Sequence, residues 1–142
     1  MPTPPRPPSD LDPARLAETR GEFQAAREFY ERAIRELDQD APAPAVAALL
    51  LQITRTFVAS GRHAEAADCL EAVFALPDLG DMDAVFAEGL ELRGRLACEA
   101  GALDEAERHF MAQRERAAAA GNDWLAALGS EHLASVALVR GA

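Results

Sequence analysis

The sequence predicts an all-helical repeat protein, and three observations carry that prediction. Glycine recurs at Gly21, Gly61, Gly101 and Gly141, a period of 40 residues with similar sequence around each. A fixed period in this range marks an α-solenoid, in which each unit buries its apolar face only against its neighbours. Alanine and leucine dominate the composition, and no alternating β-branched segments lie between turn signals, which favours helices over strands. Third, the residues flanking each glycine repeat in size at helical spacing.

Two residues after the glycine stand Phe23, His63 and Leu103, five after stand Ala26, Ala66 and Ala106, and nine after stand Tyr30, Leu70 and Phe110. A small residue followed at i+4 by a large one lets a helix approach closely at the alanine while the bulky group fills the next gap. Upstream, Ala14, Thr54, Gly94 and Ala134 lie seven residues before the glycine, and Ala17, Phe57, Ala97 and Ala137 lie four before. Each unit is therefore two antiparallel helices joined at a glycine whose tolerance of φ > 0 permits the reversal.

Taken in order, the first nine residues hold five prolines and read as a disordered, extended tail, with Ser9, Asp10 or Asp12-Pro13 opening the first helix. Residues 10–142 form one domain with units at about 10–41, 42–80 and 81–121 and a final helix at 122–140. Seven helices are expected, near 11–20, 22–38, 44–60, 62–76, 82–100, 102–119 and 123–140. Pro42 and Pro44, the segment Pro77 to Asp83, and Gly121-Asn122-Asp123 separate them.

The segments Gly21-Glu-Phe-Gln-Ala-Ala-Arg-Glu-Phe-Tyr-Glu-Arg-Ala-Ile34 and Gly101-Ala-Leu-Asp-Glu-Ala-Glu-Arg-His-Phe110 resemble the tetratricopeptide repeat, with Ala26, Tyr30 and Ala33 in the family's small–aromatic–small order. The period of 40 and the segment Ala120-Gly-Asn-Asp-Trp124 are similar to the longer variety found in bacterial signalling regulators and peptide-binding scaffolds. Val73 and Gln113 depart from the family by replacing the small residue found at Ala33. The resemblance implies a right-handed solenoid of three hairpins plus a C-terminal helix, and ligands along the concave face formed by the first helix of each hairpin.

The formal charge of −10, with no lysine, argues against nucleic acid, whose affinity comes largely from basic side chains releasing counterions. Two cysteines, Cys69 and Cys98, form neither a metal motif nor a disulfide framework, so a reducing, cytoplasmic setting is expected. No leader or membrane-spanning run is evident. His63, His109 and His132 are scattered, and Asp81, Asp83, Glu88 and Glu91 sit at a helix start without metal-loop spacing. No catalytic residue, metal or cofactor is expected.

Partner binding is the remaining function class. Six residues before the glycine stand Arg15, Arg55 and Arg95, and ten before stand Leu11, Leu51, Glu91 and Glu131, one turn away. Guanidinium forks hold carboxylates bidentately while leucines exclude water, so this face suits an acidic and apolar peptide. The same arginines also read as solvated residues paired with neighbours such as Glu91. The family's Lys-and-Asn clamp for a C-terminal carboxylate is absent. The last helix is apolar nearly all round, and Trp124, Leu125, Leu128, Val136 and Val139 form its expected oligomer face, either for a homodimer or because the chain is a fragment cut at a repeat boundary. Two functions follow as expectations: a non-catalytic adaptor gripping a protein or peptide in its groove, or a structural homo-oligomerisation domain of a larger signalling or transcriptional regulator.

Overall fold

The computed structural model describes residues 12–141, which form seven α-helices and a short 3-10 turn at Leu79–Asp81. The helices are α1 (Asp12–Thr19), α2 (Phe23–Glu36), α3 (Ala43–Ala59), α4 (His63–Phe74), α5 (Asp83–Glu99), α6 (Leu103–Ala119) and α7 (Asp123–Gly141). The fold is all-α, as the composition and period predict. The proline-rich tail and Leu11 lie outside the described residues.

Each helix packs on the next in the chain, and α3 on α5 and α5 on α7 also touch. The repeated offsets are the packing positions. Ala26, Ala66 and Ala106 are completely buried, and Tyr30, Leu70 and Phe110 are at most 2% exposed. Each such large side chain contributes about 1.5–3 kcal/mol on burial. Ala14, Thr54 and Gly94, the predicted small positions of the first helices, are buried as well, and Gly94 backs directly on the Phe110 ring.

One turn geometry is used four times. Gly21, Gly61, Gly101 and Gly121 have φ of 75°, 74°, 74° and 70°. In each, the glycine N–H donates to the carbonyl three residues back, and the next N–H donates to the carbonyl five back, as in Glu22 to Ala17 and Asn122 to Ala117, both at 2.9 Å. This double closure satisfies helix-end carbonyls and requires the left-handed conformation at the glycine. Gly141, expected as the fourth turn, is instead helical, and the fourth reversal falls at Gly121, between α6 and α7. The segment expected as a plain loop before α5 contains the 3-10 turn, entered through Asp78 at φ 61°.

Gln113, which departs from the small residue of the first unit, is fully buried. Its amide nitrogen donates to the Leu125 carbonyl at 2.9 Å, tying α6 to the first turn of α7. Asn122 accepts the Leu125 N–H at 3.0 Å and so caps the same turn.

Candidate interaction surface

The arginine row divides by helix. Arg15 on α1 faces solvent, 3.9 Å from Asp12. On α3, Arg55 reaches across to Glu88 on α5 at 3.2 Å, which couples two successive units. Arg95 on α5 lies 3.8 Å from Glu91 on its own helix and keeps 43% of its side chain exposed.

The positions ten before the glycine do not behave as an open row. Leu51 is 2% exposed and packs with Leu70, Val73, Leu79 and Leu92, so it is a core residue, not a peptide contact. Glu91 is 3% exposed, and its carboxylate accepts a hydrogen bond from His132 Nε2 at 3.1 Å, while its other oxygen has no partner among the described residues. The reason is rotational: α5 and α7 meet at this turn, which turns the side chain between helices. Glu131, with no following odd-numbered helix among the described residues, stays exposed.

The expected oligomer face also splits. Leu125 and Val136 are 2% and 3% exposed, and both belong to the intramolecular core, Val136 against Ala97, Ala106 and Phe110 and Leu125 against Ala87 and Ala117. Leu128 is half-buried beside Leu125. Trp124 and Val139 remain open at 72% and 61%, joined by Leu138 at 76%.

Between α5, α6 and α7 a cleft of about 300 Å³ opens, with Arg95 and Glu99 from α5, Leu103 and Phe110 from α6, and His132 and Val136 from α7 in its walls. Phe110 is stacked on His132 at a centroid distance of 4.6 Å, so the ring pair and the Glu91 hydrogen bond hold the wall rigid. Cys98 also lines the cleft, and burial, reinforced by Glu99, pushes its thiol pKa up. Burial likewise raises the Cys69 thiol. Neither has the lowered pKa of a reactive thiolate.

Phe110 was legible as a packing residue, whereas His132 read only as a scattered polar residue, and its pairing with Phe110 and Glu91 was not legible because the three come together from three helices. Arg27 was also missed. It is 6% exposed, donates to Ser60 Oγ at 3.2 Å and lies 4.4 Å over the Phe57 ring. Its only sequence signal is adjacency to the invariantly small Ala26 position. Among the described residues no group of three or more His, Cys, Asp or Glu is placed to hold a metal, and no helix is long and apolar enough to cross a membrane. No protein-family model matches the sequence, and a search of curated proteins finds no match.

Proposed function

We propose that this chain is a non-catalytic, tetratricopeptide-like adaptor that binds a partner peptide or protein segment along the face formed by α1, α3, α5 and α7. The observation that carries this reading is the α5–α6–α7 cleft, where an incompletely paired arginine stands beside open apolar walls. Exposed ion pairs contribute only about 0.2–1 kcal/mol each, and micromolar binding needs about 8 kcal/mol, so the arginines steer and the apolar walls supply most of the affinity. The two free cysteines suit a reducing, cytoplasmic setting.

The test is capture of crosslinked partners from the source cell, followed by titration of the purified partner against the wild type and against Arg15→Ala/Arg55→Ala/Arg95→Ala. The triple variant should keep its helical circular dichroism and bind at least about tenfold more weakly. Undiminished binding sinks the reading.

A second reading, self-association, is favoured by the exposure of Trp124, Leu138 and Val139 on one helix. Sedimentation equilibrium decides it: a dimer that Val139→Asp converts to monomer supports it, and a concentration-independent wild-type monomer rejects it.

A further inference from the structure

We propose that the α5–α6–α7 cleft is a socket for one large apolar side chain whose own segment presents a carboxylate to Arg95. The inference deepens the adaptor reading and rests on it. A volume of about 300 Å³ holds one aromatic side chain and leaves room for part of the segment that carries it, and the inner walls from Leu103, Phe110 and Val136 are apolar. Such a site excludes water from whatever fills it and rewards an anchor that is itself apolar.

The polar groups around it are unequal, and that inequality selects the ligand. His132 is already engaged, its Nε2 on Glu91 and its ring on Phe110. Glu91 is buried beneath. Arg95 carries five N–H donors and makes one long contact, 3.8 Å to Glu91, with 43% of its side chain open. Its free donors match a carboxylate in bidentate geometry. Glu99, one helical turn on from Arg95, lines the cleft too and has no ion-pair partner among the described residues. It repels a second carboxylate and so fixes which side of the anchor bears the charge. A neighbouring cavity of about 400 Å³ between α4, α5 and α6 lacks this arrangement, because its arginine, Arg93, is laid 3.5 Å over the Phe74 ring.

The probes are 3-phenylpropionate, an aromatic body with a carboxylate, and the neutral 3-phenylpropionamide, each titrated into the full chain with methyl-labelled leucine and valine followed by NMR. The acid should shift the Leu103, Val136 and Val139 methyls with an affinity of about millimolar, as its size allows. The amide should bind roughly fivefold more weakly, and Arg95→Gln should abolish that preference. Silence of those methyls, or equal binding of acid and amide to the wild type, overturns the socket, and this comparison needs no variant to fold. Failure here with partner capture still dependent on the arginines leaves the adaptor reading standing. The acid preference without any arginine-dependent partner supports the socket and removes the adaptor.

Discussion

Gly94 is the most closely packed of the glycines and permits a worked test of the hairpin packing. A Cβ built there meets Phe110 Cε1 and lies 2.6 Å from Cδ1 and 2.7 Å from Cζ. The ring cannot simply retreat, since it is 1% exposed and His132 is stacked on it. Gly94→Ala therefore carries an overpacking cost of about 1–3 kcal/mol. Alanine returns about 1 kcal/mol of helix propensity, leaving a net loss of about 0–2 kcal/mol. The second unit suggests the remedy, for 40 residues earlier Thr54 and Leu70, both buried, stand at the register positions of Gly94 and Phe110, a larger small residue with a smaller large one. Gly94→Thr alone should cost about 2–3 kcal/mol, and Phe110→Leu alone about 1–2 kcal/mol through the space it leaves. Combined, they recreate the Thr54–Leu70 pairing and should show a favourable coupling of about 1–3 kcal/mol. Urea unfolding monitored by circular dichroism measures all four proteins. A Gly94→Ala variant stabilised by the full propensity gain, or a double variant additive within about 0.5 kcal/mol, would refute the reasoning.

Three further outcomes follow from the geometry. Gly121→Ala should cost about 1–2 kcal/mol in thermal unfolding, because the site has open space but φ 70°, whereas Gly141→Ala, in a helical position, should be neutral or mildly stabilising. Arg116 donates from one nitrogen to Gly80 O and to Asp83 Oδ1, both at 3.0 Å, and lies 4.2 Å over Phe86, so Arg116→Ala should cost about 1 kcal/mol and speed amide exchange over residues 78–83. Burial, and then Arg93, depresses the His109 pKa below its usual 6.5. The folded state then binds this proton less readily than the unfolded chain, so the His109 contribution is complete above about pH 6.5 and is lost as pH falls through the folded value. His109→Gln should flatten stability between pH 7.5 and 5.5, and an unchanged slope would count against the burial.

The hairpins were legible because their determinants are local. Side-chain size at i and i+4, and a glycine after the first helix, state where two neighbouring helices touch, and Ala26, Ala66 and Ala106 are buried as that rule requires. Leu51 and Glu91 were not legible as core residues, because a helical wheel gives angles about one axis and says nothing of how the next hairpin is rotated against it. Leu125 and Val136 failed for a related reason. An evenly apolar helix does not reveal which side its neighbours cover, and α6 and α5 cover theirs through the Gly121 reversal, which breaks the 40-residue step.

The register decides how the two functional readings relate. On α5, Ala87, Leu90, Gly94 and Ala97 are buried, and α6 lies against this side. The positions 40 residues on, Ala127, Ser130, Ala134 and Ala137, are exposed on α7, and serine there replaces the most apolar of the four. That side is thus open but chemically mild. Trp124 and Val139 fall on a different stripe of α7, with Glu131 and Ser135, at offsets from the repeat glycine that on α5 belong to Ala84, Glu91, Arg95 and Glu99. The members of the two expected sets that stay exposed on these helices, Trp124 and Val139 for the dimer and Arg95 and Glu131 for the peptide, are therefore one surface, extended from α5 to α7. A dimer closed over Trp124 and Val139 would cover the mouth of the Arg95 cleft. Adding the partner segment to a self-associated sample should accordingly release monomer, and if it instead bound the intact dimer with undiminished affinity, the two sites would have to be separate.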